Sequence, residues 1–162
     1  MAKPEENDAT NNLSPAQEAL RKLWEDHVRY EFSMRNTDDT LATIVDDTYV
    51  NHIPVLTGGS GRDELREFYS KRFIPQMPPD TEMTAVSRTI GDNQIVDETI
   101  FKFTHTIPMD WMLPGISPTG QRVEVPEGRP SPSLAAGARP PPACFASRVC
   151  LRERLPKWQT AK

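Results

Sequence analysis

At 162 residues the chain is one domain's worth of sequence, and a 36% hydrophobic share with sixteen prolines implies that only part of it, nearer 110 residues than 160, builds a core. The formal charge of −4 conceals an asymmetry: residues 1–125 carry 12 basic and 21 acidic side chains, whereas residues 126–162 carry 7 and 2. An acidic body repels a phosphate backbone and so excludes nucleic acid as its partner. The polar N-terminus has no apolar stretch of a secretion signal, and no run of eighteen apolar residues argues for a membrane span, so the expected location is cytoplasmic.

Residues 1–13 read as a solvated leader. Ser14-Pro15-Ala16-Gln17 has the grammar of a helix start: Ser as N-cap, Pro at the first helical position and Gln placed to close a capping box. The helix is expected to reach about Met34, with Leu20, Leu23, Trp24 and Val28 on its apolar side. His27 and Glu31 continue that series and border the stripe. Asp38-Asp39 before Leu41, Ile44 and Val45 suggests a short second helix, because acids suit the positive end of the macrodipole. Residues 48–53 are β-branched and aromatic enough for a strand, closed by Pro54, with Gly58-Gly59 expected to make the turn. Ser60 is a second N-cap candidate, opening a helix with Leu65, Phe68, Tyr69 and Phe73 on one face.

From Glu82 the periodicity becomes that of a long hairpin, residues 83–90 and 94–107 around Gly91-Asp92-Asn93. On its second strand Asp97, Phe101, Phe103 and His105 share the face expected to look inward. A loop ending in Pro118-Thr119-Gly120 leads into another strand. After Val125 the pattern breaks: residues 126–162 hold seven prolines and an arginine and small-residue bias typical of disordered sequence, with a stub helix conceivable at 147–155. Cys144 and Cys150 lie in this tail and are too few for a disulfide framework or a cysteine-rich zinc site.

The chemistry-bearing residues are few. His27 and Glu31, four apart on one helix, form either an acid/base pair facing a pocket or an ordinary helix-surface pair. His105, between Phe103 and Ile107, and His52, near the end of the first strand, are each either satisfied core histidines or groups that face a ligand. No close spacing of histidines and acids supports a metal site. Gly58-Gly59-Ser60-Gly61-Arg62 lacks the last glycine of a hydrolase nucleophile elbow, and there is neither a phosphate-binding glycine loop nor a dinucleotide fingerprint.

This order of elements, with Tyr49-Val50-Asn51-His52-Ile53-Pro54, the glycine-rich stretch before Arg62, and Pro118-Thr119-Gly120-Gln121-Arg122-Val123, resembles the SnoaL-like polyketide cyclases of the nuclear transport factor two-like superfamily over residues 15–125. The resemblance implies an α+β fold, a cystatin-like cone of three N-terminal helices packed on a bent antiparallel sheet around an apolar pocket. It also implies cofactor-independent acid/base closure or isomerisation of a small carbonyl compound such as a polyketide-like ester, commonly by a homodimer. On that reading His27, Glu31, His52 and His105 are the catalytic candidates, and Trp24, Tyr49, Phe101, Phe103 and Trp111 line the pocket that takes a small apolar ligand. No cofactor, metal, nucleic acid or membrane partner is implied.

The departure from the family is as informative as the match. Its final strands and the pocket carboxylate they carry are replaced here by Pro126-Glu127-Gly128-Arg129-Pro130. The expected organisation is therefore a leader at 1–13, an incomplete domain at 14–125 and a disordered tail at 126–162. The junction reads as an alternative exon, retained intron or frameshift, and an uncovered sheet edge would lower stability. Two further readings stay open: a binding or scaffold module without chemistry, and a product with no function of its own.

Overall fold

The computed structural model describes residues 13–53, 55–92, 94–128 and 146–149. The first helix, α1 (Pro15–Val28), opens on the expected capping box: the Gln17 N–H donates to Ser14 Oγ at 3.2 Å and the Ser14 N–H to Gln17 Oε1 at 2.9 Å. It runs directly into a π-helical turn, Arg29–Ser33, in which the Met34 N–H reaches the Arg29 carbonyl at 2.9 Å. The wider turn rotates the following side chains relative to an α-helix, and Glu31 ends up buried. Arg35, in the left-handed region at φ 51, closes the segment, and its guanidinium holds the Met77 and Pro78 carbonyls at 3.2 and 2.9 Å.

Helix α2 (Thr37–Ala42) is capped by the Asn36 side chain, which accepts from the Asp38 and Asp39 N–H groups. Strand β1 (Tyr49–Ile53) pairs antiparallel with β2 (Thr57–Ser60), so Gly58 and Gly59 are strand residues and not the turn. The reason for glycine is proximity: Gly58 has φ +143, and a Cβ there would lie 2.0 Å from the Val50 carbonyl oxygen. Helix α3 (Gly61–Phe68) likewise departs from expectation at its cap. Ser60 makes no side-chain cap; instead its N–H donates to Glu64 Oε2 at 2.8 Å. A second π-helical turn, Tyr69–Phe73, follows, and Leu65, Phe68, Tyr69 and Phe73 are all buried as their spacing predicts.

Strands β3 (Glu82–Ile90) and β4 (Ile95–Thr104) form the long hairpin, with a register shift between Ala85 and Ser87. β4 stops at Thr104, where Asp80 accepts from both the Thr104 N–H and hydroxyl, so His105 lies just past the strand. Strand β5 (Arg122–Glu127) pairs with β4 and extends two residues beyond the boundary drawn at Val125. β6 (Ala146–Val149) pairs with β1, so residues 147–149 lie in a strand where a helix was considered; the rest of that stretch lies outside the described residues, as does Cys144. The leader at 1–12 does too.

The result is an α+β cone: three helices packed on two three-stranded antiparallel sheets ordered β2-β1-β6 and β3-β4-β5. The core is where the sheets face α2 and α3, built from Leu41, Ile44, Val50, Leu65, Phe68, Phe73, Phe101, Phe103 and the loop residues Met109, Trp111 and Met112. Among the described residues no helix is long and apolar enough to cross a membrane.

Candidate functional site

A polar seam runs through this apolar core. His27 is fully buried and Glu31 nearly so, which rules out the helix-surface reading of the pair. Trp24 stacks on the His27 ring with centroids 5.5 Å apart and planes 17° from parallel, holding it in one orientation. His27 Nδ1 lies 2.6 Å from Thr43 Oγ1, and the Thr43 hydroxyl donates at 2.6 Å to the Thr40 carbonyl. A hydroxyl has one proton, and Thr43 spends it on Thr40, so His27 Nδ1 must be the donor to Thr43. That assigns the tautomer: any lone pair of the neutral ring is on Nε2. Nε2 stands 3.0 Å from Glu31 Oε1, so the imidazole and the carboxyl are in close contact. The contact does not have the geometry of a hydrogen bond.

Glu31 also accepts from the buried Tyr69 hydroxyl. Burial works against its charge, but the His27 imidazole, the Tyr69 hydroxyl and the more distant His52 outweigh it, and the carboxyl is held below its ordinary value. Tyr69 moves the other way, pushed well above the usual phenol range by burial and then by the Glu31 charge and hydrogen bond. Both partners sit in π-helical turns, Glu31 in Arg29–Ser33 and Tyr69 in Tyr69–Phe73. Such turns recur at functional sites.

His52 is clamped by rings: Trp111 at 5.1 Å, Phe68 at 5.4 Å and Phe73 at 5.7 Å between centroids. Burial holds its pKa down, partly offset by the Thr57 carbonyl 3.2 Å from Nδ1 and by the Glu31 charge. His105 is buried but stands apart, with Phe103 edge-on at 6.4 Å and Thr119 Oγ1 3.4 Å from Nδ1. Its backbone ties the Pro118-Thr119-Gly120 turn to β4, accepting from the Gly120 N–H and donating to the Gln121 carbonyl, each at 2.9 Å. No hydrogen bond, ion pair or ring contact among the described residues joins it to His27, Glu31 or His52. Three of the four catalytic candidates are thus brought near one another, and His105 is not.

Of the pocket candidates, Phe101, Phe103 and Trp111 are fully buried in the core. Trp24 is half-buried and donates to Asp97 at 2.7 Å, whereas Tyr49 is 39% exposed and faces away from the seam. The expected apolar hollow is not outlined by these residues. The described depression, about 230 Å³, lies against α3 and β2 and is lined by Gly58, Glu64, Glu67, Phe68 and Arg72, none of them a predicted site residue. Among the described residues no cluster of three or more His, Cys, Asp or Glu is arranged to hold a metal ion.

One residue with a bearing on the seam was overlooked. On β5, Val123 and Val125 turn toward the core, and Glu127 is next in that alternation, opposite Thr99 of β4. It is partly exposed as a residue, yet its carboxyl is crowded by protein; burial, then the charge of Glu31, push it up to about 8. The period-two pattern Val-x-Val-x-Glu was the available signal, hidden by reading Pro126 as a strand end.

No family model matches the sequence, and neither does any curated protein. Among solved structures the chain is similar to a Jannaschia sp. CCS1 protein that carries the name SnoaL-like polyketide cyclase, with 20% identity over 71% of this chain and 76% of that one, at a TM-score of 0.51. At that identity the likeness speaks to architecture alone, and the architecture is the SnoaL-like α+β fold.

Proposed function

We propose that the chain is a SnoaL-like cyclase or isomerase that moves protons on an apolar carbonyl compound, such as a polyketide-like ester, by acid/base chemistry needing no cofactor. The observation that supports this reading is the close approach of His27 Nε2 to Glu31 Oε1, 3.0 Å apart, inside an otherwise apolar core. A buried ionic pair contributes little to stability against well-packed apolar residues of the same size, so its placement calls for another role. In the reaction the Glu31 carboxylate, oriented by His27 and Tyr69, takes a proton next to the carbonyl, while a neutral donor supports the enolate oxygen. Phe73, Phe101 and Trp111 around His52 supply the apolar wall.

The test is deuterium exchange at the α-carbon of ethyl benzoylacetate, read by NMR against buffer alone. Exchange above the background, lowered roughly 100-fold in Glu31→Gln and His27→Gln, is the expected result. A second reading, a binding or scaffold module without chemistry, is favoured by the tight ring packing on His52 and by the absence of these side chains from the described depression. Retained ligand binding with no exchange by the wild type would select it.

A further inference from the structure

Thr43 ends α2 beside the buried Leu41 and Ile44, where a hydroxyl is costly unless its hydrogen bonds are made. Its proton goes to the Thr40 carbonyl at 2.6 Å, an acceptor that the Thr43 N–H already reaches at 3.2 Å. What the hydroxyl adds is its oxygen, 2.6 Å from His27 Nδ1. The imidazole cannot turn over without loss: exchanging its two edges would put Cδ2 against Thr43 and Cε1 against Glu31, ending both polar contacts. Trp24 stacks on the ring, and Asp97 accepts from the indole N–H at 2.7 Å while pairing with Arg88. His27 Nε2, by contrast, is buried with no hydrogen-bond partner among the described residues, and the titratable group it faces is Glu31, whose Oε1 is 3.0 Å away.

We propose that Thr43 is the positioning residue of the His27–Glu31 pair: its oxygen keeps a proton on His27 Nδ1, so the imidazole gains and loses protons only at Nε2, the nitrogen that faces Glu31. The neutral ring then offers Glu31 a lone pair, and the imidazolium offers it an N–H. When Glu31 hands on a proton it has taken, its O–H bond breaks and an N–H bond forms at Nε2; no co-reactant is consumed. Without the Thr43 oxygen, the neutral ring is free to carry its single proton on Nε2, where it leaves Glu31 no lone pair to receive that proton. Thr43 touches no reacting atom and acts through His27. This inference rests on the acid/base reading above for its effect on turnover, but the nitrogen assignment is read without substrate.

The experiment is long-range ¹H–¹⁵N NMR of the full chain across the pH range, which reports the nitrogen that carries each imidazole proton, on the wild type, Thr43→Val and Thr43→Ser. In the wild type and Thr43→Ser, His27 Nδ1 is expected to keep its proton throughout while Nε2 alone titrates. In Thr43→Val the neutral ring is expected to carry its proton on Nε2. For α-exchange of ethyl benzoylacetate, Thr43→Val is expected to lower kcat roughly 100-fold with little change in KM, and Thr43→Ser to restore it. A threonine with a merely structural role would lower stability when replaced but leave the protonated nitrogen unchanged. A wild-type ring whose neutral form is protonated on Nε2, or whose Nε2 never titrates, overturns the proposal, as does a Thr43→Val ring that keeps its proton on Nδ1. If Thr43→Val fails to fold, Thr43→Ala is read in the same way, and the wild-type ring remains decisive. Exchange equal in wild type and Thr43→Val overturns the part of Thr43 in turnover. The expected nitrogen pattern with no exchange by any variant retires the enzymatic reading and leaves Thr43 in control of the ring.

Discussion

Two regions of this molecule use carboxylates in opposite ways. On the outside, α1 is laced to the β3–β4 hairpin by a ladder in which Glu18 and Glu25 hold Arg21, Glu25 holds Arg88, and Arg88 and Trp24 hold Asp97, at distances of 2.5–3.0 Å. Water screens most of these charges and would solvate them in the unfolded chain, so each pair contributes little. Inside, Glu31 is nearly sealed from solvent, with His27 3.0 Å away and the Tyr69 hydroxyl as a further partner. There each partner is indispensable to the others because a lone buried charge is costly. Charge outside the core decorates a fold that would form without it, whereas charge inside constrains which protons can be where.

That contrast can be broken at several points. Glu31→Ala should be the most damaging, lowering unfolding free energy by about 3–5 kcal/mol in denaturant titrations, because it strands His27 and Tyr69. An effect under about 1 kcal/mol would place the seam in contact with water.

Next comes pH. Glu127, raised in the folded chain, binds its proton more tightly there than when unfolded, so its contribution is intact below 4.5 and becomes a growing penalty as pH rises toward 8. His52, lowered in the folded chain, resists protonation, so stability is lost as pH falls below its ordinary 6.5. Glu127→Gln should therefore gain on the order of a few kcal/mol over wild type at pH 9 and little at pH 5, read as thermal midpoints across pH. Equal midpoints at pH 9 would mean that Glu127 ionises freely.

Gly128→Ala should cost about 1–2 kcal/mol and speed amide exchange at the end of β5, since a side chain there meets the Asp97 carbonyl. Asp97→Asn should cost about 1 kcal/mol or less, because the amide still accepts from Trp24 while the Arg88 pair loses its charge. Glu18→Gln, fully on the surface, should leave the midpoint unchanged.

Much of the architecture was legible because it rests on short-range chemistry. The Ser14 box, the α3 stripe and the alternation through Phe101 and Phe103 each announce an element by spacing alone. What escaped depends on contacts between distant segments. Gly58 and Gly59 read as a turn, but Gly58 presses on the Val50 carbonyl and Gly59 lies against Glu64 of α3, facts no local pattern contains. Pro126 read as a stop, yet β5 is an edge strand, where a missing N–H is tolerated. The π-helical turns that turn Glu31 and Tyr69 toward each other leave no periodic trace. At the site, the neighbourhood of His27 and Glu31 was visible in their spacing, but their burial was not, and His105 follows the alternation of Phe103 just past the end of β4 without sharing the seam.

The central claim is that the buried seam, and not the polar depression beside α3, receives the ligand. Long-range ¹H–¹⁵N spectra of the three imidazoles, with and without saturating ethyl benzoylacetate, test it most directly. The account predicts that the His27 and His52 ring signals shift while those of His105 stay in place. Binding that leaves both His27 and His52 unmoved would contradict it.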